Sequence, residues 1–84
     1  MYSCLFLCRT LTYAQKTEKL LGHNGIAAGI IRPPSGLGGS SCSYAVRVAP
    51  DLFREALSIL RRYNLPPARA FTSDKSGNYR EERL

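Results

Sequence analysis

The sequence predicts an α+β domain with a ferredoxin-like fold, in which a four-stranded antiparallel sheet carries two helices on one face. The chain has 84 residues, which is enough for a single hydrophobic core. Its apolar patterns follow the order β-α-β-β-α-β, and this order is the split β-α-β arrangement. We assign this one domain to residues 1–73, and we expect residues 74–84 to form a polar, disordered C-terminal tail.

The first half of the chain predicts a strand, a helix and a second strand. Residues 4–8 form a short apolar run, as found in strands that are buried on both faces. Thr12 and Gln15 have the spacing of a capping box, which begins a helix. Gly22 suits the end of this helix, because glycine readily takes the left-handed conformation. Residues 26–31 are apolar and predict the second strand, which the two following prolines stop.

The second half predicts a strand, a helix and a last strand. Residues 44–48 alternate between apolar and mixed side chains, as expected of a strand with one face in the core. Pro50 suits the first turn of a helix, and apolar residues recur after it at helical spacing. Residues 69–72 predict a short fourth strand.

Composition and charge narrow the class of protein. The chain contains 12 Lys and Arg against 6 Asp and Glu, and the excess of +6 lies within residues 1–73, which favours anionic partners. No apolar run approaches the ~18 residues of a membrane span, and no basic segment precedes the first apolar run. Three cysteines without dense spacing are typical of free thiols. We therefore expect a cytoplasmic protein with no membrane partner.

The glycine-rich loop before the third strand is the segment most suited to chemistry. It contains Gly36-Leu37-Gly38-Gly39-Ser40-Ser41-Cys42. Glycines allow successive amide N–H groups to converge on an anion, and such a nest with arginine nearby stabilises a thiolate over a thiol. We predict Cys42 as the reactive residue, and as its ligand-binding neighbours Gly38, Gly39, Ser40, Ser41, Arg32 and Arg47.

Alternative sites have less support. Cysteine is also a small apolar residue, so Cys42 can equally be a core residue. Cys4 and Cys8 share one face of the first strand with their Cα atoms about 13 Å apart, beyond the reach of a disulfide, and we expect both in the core. His23 is the single histidine, and no paired C-x2-C spacing is present. The sequence therefore predicts no metal site and no cofactor.

Several motifs together resemble those of a known family. They are a first strand ending in Thr10, Glu18-Lys19-Leu20-Leu21 in the first helix, a proline after the second strand, Ser40-Ser41-Cys42, and Glu55-Ala56-Leu57 in the second helix. These motifs are similar to those of small bacterial proteins of the selenium/sulfur carrier-like family. Ser43 follows the cysteine here, where the family usually has glycine. The resemblance implies a carrier thiol at Cys42.

Three functions remain open from the sequence. The first is a non-enzymatic carrier, in which Cys42 accepts sulfur or selenium from a donor protein and delivers it to an acceptor protein. The second is nucleic-acid binding, although Phe6 and Tyr44 are the only candidates for base stacking and the Lys/Arg-Gly-aromatic motif is absent. The third is a regulatory or protein-interaction module, which pairs with a partner or as a homodimer. Enzymatic turnover is the least expected, since no general base accompanies the thiol.

Overall fold

A computed structural model describes residues 4–33, 44–74 and 76–82. Five strands in this part of the chain form one antiparallel sheet in the order β2-β3-β1-β4-β5. Two α-helices and one 3-10 turn accompany the sheet. In chain order the elements are β1 (Cys4–Cys8), α1 (Leu11–His23), β2 (Gly29–Ile31), β3 (Tyr44–Val48), the 3-10 turn (Pro50–Leu52), α2 (Phe53–Arg62), β4 (Arg69–Ser73) and β5 (Tyr79–Glu82).

The predicted α+β class is confirmed, and the predicted number of strands is wrong by one. The order β2-β3-β1-β4 is that of the ferredoxin-like split β-α-β fold. The fifth strand lies in residues 74–84, where the sequence predicts a disordered tail. β5 pairs with β4 so that Thr72 faces Arg80 and Ser73 faces Tyr79. The sheet therefore continues past residue 73.

A tight turn returns the chain from β4 to β5. One carboxylate oxygen of Asp74 accepts hydrogen bonds from the backbone N–H groups of Ser76 and Asn78, at 2.9 and 3.0 Å. Gly77 has a φ of 86°, which glycine adopts without the strain that a Cβ atom would cause. These residue types are typical of turns because their short side chains bond to the local backbone.

Both helices pack against the same face of the sheet. On this face, Phe6 of β1 stacks on the partly buried Phe53 of α2, with ring centroids 5.6 Å apart and planes 18° apart. Among the described residues, neither helix is long and apolar enough to cross a membrane. The buried members of the cluster are Cys4, Phe6, Cys8, Ala14, Leu21, Ile26, Val46, Val48, Ala56, Leu57, Ile59, Leu60 and Ala70.

A second apolar cluster occupies the opposite face of the sheet. It consists of Leu5, Leu7, Ala45 and Phe71, and all four are buried. Partly buried side chains pack against it, namely Ile31, Ala68 and Tyr79. Every residue of β1 is therefore buried, which confirms the prediction of a first strand enclosed on both faces.

The ends of α1 differ from the predicted ends. Its N-cap is Thr10, whose hydroxyl accepts a hydrogen bond from the backbone N–H of Tyr13 at 3.1 Å, so Thr12 lies inside the helix. At the other end, the left-handed residue is Gly25, with a φ of 82°, and Gly22 lies within the helix. The helix thus begins almost directly after β1, which places its N-terminal turn at one end of the sheet.

Candidate functional site

The loop that carries the predicted reactive cysteine lies outside the described residues. Residues 34–43 include Cys42 and its predicted neighbours Gly38, Gly39, Ser40 and Ser41. The structure does describe where this segment leaves and rejoins the fold. It follows β2 and precedes β3, and these two strands pair antiparallel with Ile31 opposite Ala45. Both ends of the segment are therefore attached at the same end of the sheet.

The end of β1 lies at this same end of the sheet. Tyr44, the first residue of β3, is the Cα partner of Cys8, the last residue of β1. Arg9 and the N-cap Thr10 follow at once. The N-terminal turn of α1 therefore lies beside the point where residues 34–43 rejoin the sheet. We name this region, formed by Cys8, Arg9, Thr10, Arg32 and Tyr44, the loop end.

Three sources of positive potential lie at the loop end, on different sides of β1. The guanidinium of Arg32 lies 5.3 Å from the centre of the Tyr44 ring, a cation–π contact that joins the two flanks of the undescribed segment. Arg9 is exposed directly after β1. The first turn of α1 contains no acidic residue, so no carboxylate offsets the partial positive charge of its N-terminus. This combination favours an anion at the loop end.

Arg47 lies in a different position from Arg32. It is the Cα partner of Gly29 and Leu5, so it lies on the face of the second apolar cluster, whereas Tyr44 packs on the helix face. Arg47 lies three residue steps along β3 from Tyr44, a rise of about 10 Å. The structure therefore brings Arg32 to the loop end and leaves Arg47 apart from it. A ligand-binding role for Arg47 stays a prediction.

A small cavity of about 140 Å³ opens at the loop end. It is lined by Cys8, Arg9, Tyr13, Pro66 and Ala68. The Tyr13 hydroxyl donates a hydrogen bond to the backbone carbonyl of Pro66, which connects α1 to the segment before β4. Burial raises the pKa of Tyr13, with a smaller contribution from Cys8, so the hydroxyl stays neutral at physiological pH. Because ligand pockets usually exceed about 300 Å³, this cavity suits a small anion or water and is too small for a nucleotide.

The prediction that Cys4 and Cys8 belong to the core is confirmed. Both side chains are 0% exposed. Burial raises the pKa of Cys4 to about 12, and the negative charge of Glu82 adds to this effect, so Cys4 is a neutral thiol at physiological pH. The Cys8 sulfur lies 3.7 Å from the backbone carbonyl oxygen of Phe6. In the ranges that the structure covers, no cluster of His, Cys, Asp or Glu is suited to hold a metal ion.

The aromatic residues considered for base stacking are not presented on an open sheet face. Phe6 is fully buried and stacks on Phe53. Tyr44 is partly buried against the helix-side core, and Arg32 lies over its ring. Phe71 faces the other side of the sheet and is itself 5% exposed. A platform for nucleic-acid bases that uses Phe6 is thus excluded by its burial.

Sequence reasoning missed Arg9, Tyr13 and the N-terminus of α1 as neighbours of the loop. The sequence did contain one indication that these residues lie near the loop. The split β-α-β order makes the first and third strands antiparallel neighbours. The end of β1 must then lie beside the start of β3. The bond from Tyr13 to Pro66 joins residues 53 positions apart, and no local pattern reveals such a contact.

Comparison with known proteins identifies one family. The family model described as "Putative Se/S carrier protein-like" matches residues 3–71. The match includes the segment 34–43 and ends before β5. Neither a search of curated proteins nor a search of solved structures found a significant match.

Proposed function

The chain belongs to the Se/S carrier protein-like family, and we propose that it carries sulfur or selenium on Cys42 between a donor protein and an acceptor protein. The observation that carries this proposal is the attachment of residues 34–43 at the loop end. Arg9, Arg32 and the N-terminal turn of α1 lie at the same end of the sheet as the two points of attachment. We infer that this positive potential acts on the thiol of Cys42.

Positive potential matters because the thiolate is the nucleophilic form of cysteine. Nearby arginine side chains and helix N-termini stabilise the thiolate and lower the pKa of a thiol, often by more than a unit. Cys4 provides a contrast within the same chain, since burial raises its pKa to about 12. The proposal assigns the reactive thiol to Cys42 and leaves Cys4 and Cys8 in the core.

The transfer step needs no added oxidant or reductant. The Cys42 thiolate attacks the terminal sulfur of a persulfide on the donor protein. A new S–S bond forms on Cys42 while the bond between the two donor sulfurs breaks, and the donor cysteine leaves as a thiolate. An acceptor thiolate then attacks the terminal sulfur on Cys42 in the same way, which restores the Cys42 thiolate. Selenium is carried by the same exchange, with a selenium atom in the terminal position.

Intact-mass spectrometry after incubation with a persulfide donor tests the proposal. We expect a gain of one sulfur atom on the wild-type chain and on Cys4→Ala, and no gain on Cys42→Ser. The Cys4→Ala variant is the matched control because it removes a thiol that the structure buries. An adduct of equal abundance on Cys42→Ser would refute the proposal.

A further inference from the structure

A groove lies on the helix-bearing side of the sheet, between α2 and β5. α2 forms one wall with Arg54, Leu57, Ser58 and Arg61, and Thr72 and Glu82 belong to the strands on the other side. The groove has a volume of about 740 Å³, within the usual range for sites that bind ligands or peptide segments. It is separate from the loop end, and the proposed carrier function does not use it.

The α2 wall presents two cationic side chains. Arg54 and Arg61 are two helical turns apart, so they lie on the same face of α2, and both are exposed. Within the described ranges, neither guanidinium forms an ion pair. Leu57, buried between them along this wall, supplies an apolar surface. The wall therefore combines apolar contact with two available positive charges.

One of the two acidic side chains of the groove, that of Glu82, already has partners. Glu82 accepts a hydrogen bond from the Thr72 hydroxyl at 2.6 Å, and its carboxylate lies 3.6 Å from the guanidinium of Arg80. Asp51 lies in the 3-10 turn before α2, where the positive end of the helix stabilises a carboxylate. Asp51 has no ion-pair partner among the described residues, so the unpaired charges of the groove are two guanidinium groups and one carboxylate, a net positive charge.

β5, which contributes Glu82 to the groove, also has an outer edge on the side away from β4. β5 is the last strand of the sheet among the described residues, so its outward backbone N–H and C=O groups have no neighbouring strand. Such an edge can accept an extended peptide as an added strand. Alternate side chains of an added strand point toward the helix-bearing side, because side chains in a strand alternate between faces. These side chains would enter the groove beside α2.

We propose that the β5 edge and the groove together bind an extended acidic segment of a partner protein. The segment adds to β5 through backbone hydrogen bonds and directs carboxylates toward Arg54 and Arg61. A second copy of this chain fits poorly, because the net charge of +6 opposes self-association through a cationic groove. RNA also fits poorly, since a nucleic acid lacks the backbone N–H and C=O groups that pair with a strand edge.

Fluorescence anisotropy with a labelled peptide that alternates glutamate and valine tests this proposal. We expect Arg54→Gln/Arg61→Gln to weaken binding about tenfold, the loss expected for two exposed ion pairs. The matched control is Lys19→Gln/Arg62→Gln, which removes the same charge from exposed helix positions outside the groove. We expect the control to retain nearly all of the affinity. A peptide with lysine in place of glutamate should not bind.

Amide hydrogen exchange locates the bound peptide. We expect slower exchange of the outward-facing amides of Tyr79–Glu82 in the complex, since strand addition gives them acceptors. Absence of binding at low salt, equal losses for both double variants, or unchanged β5 exchange would each overturn the proposal. Competition by an oligouridylate RNA for the same site would also overturn it. Cys42→Ser should bind the peptide like wild type, which separates this test from that of the carrier function.

Discussion

Truncation after Asp74 tests whether β5 is part of the folded domain. A disordered tail can be removed without loss of stability, whereas a paired strand cannot. β5 places Tyr79 against the second apolar cluster, in which Phe71 is only 5% exposed. Arg69 lies over the Phe71 ring at 5.2 Å, and Glu81 on β5 holds that guanidinium through two hydrogen bonds. Removal of β5 therefore uncovers the ring of Phe71 and also removes the packing of Tyr79 against this cluster.

The expected loss follows from the apolar surface involved. Full burial of one large apolar side chain contributes about 1.5–3 kcal/mol, and here two aromatic rings each lose part of their cover, so we expect a loss of about 3 kcal/mol. The ion pair between Arg69 and Glu81 adds little to this loss of unfolding free energy, because both side chains are close to half exposed. A domain of this size has a free energy of unfolding of about 4–13 kcal/mol, so the loss is a large fraction of the total.

Urea denaturation followed by circular dichroism measures this loss. With a slope of about 1 kcal/mol/M for a small domain, the midpoint should fall by about 3 M. Asp74→Ala in the full-length chain is a milder companion variant, because it removes the two hydrogen bonds that shape the turn and keeps β5. A truncated chain with the midpoint of the full-length chain would refute the reasoning and restore the sequence-based expectation of a tail.

Three further predictions concern the cap of α2, one ion pair and one buried thiol. Asn64 follows Tyr63, the C-cap of α2, and has a φ of 58°, so Asn64→Ala should lower the unfolding free energy by about 1 kcal/mol in urea titrations, whereas Asn64→Gly should not. The hydrogen bond from Arg69 lowers the pKa of Glu81 from its ordinary 4.5, so the stability from this pair is present above pH 4.5 and is lost as the pH falls further. Thermal melts of Glu81→Gln should therefore depend less on pH in acid. Cys4, with a pKa of about 12, should resist iodoacetamide at pH 8 until urea unfolds the chain.

The sequence predicted most of the sheet because its core strands have simple patterns. The apolar run of β1 matches a strand in which every residue is buried, and Tyr44–Val48 matches β3 as observed. β5 was missed because Tyr79–Glu82 is an edge strand with exposed charged side chains, and such a strand lacks the apolar alternation that a core strand shows. The sequence feature that could have indicated β5 is the turn that precedes this strand.

The candidate site around Cys42 could be predicted only in part, because its surroundings depend on contacts between distant parts of the chain. Glycine content and a cysteine can be recognised locally, so Cys42 follows from the sequence as a candidate. Its surroundings depend on which strand ends lie together, and the contact between Arg32 and Tyr44 needs the pairing of β2 with β3. Arg47 lies near the loop in sequence, but strand alternation places it on the other face of the sheet.

The two proposed sites lie at opposite ends of β1, which bears on how a carrier could work. The loop end includes Cys8, whereas Thr72 in the groove is the Cα partner of Cys4. The rise of the strand separates these positions by about 13 Å, and the groove adjoins the β5 edge while residues 34–43 attach at the β2–β3 side. If a partner segment binds in the groove as proposed, we expect the loop end to stay uncovered. If both proposals hold, the chain can stay bound to one protein while Cys42 exchanges sulfur or selenium with another.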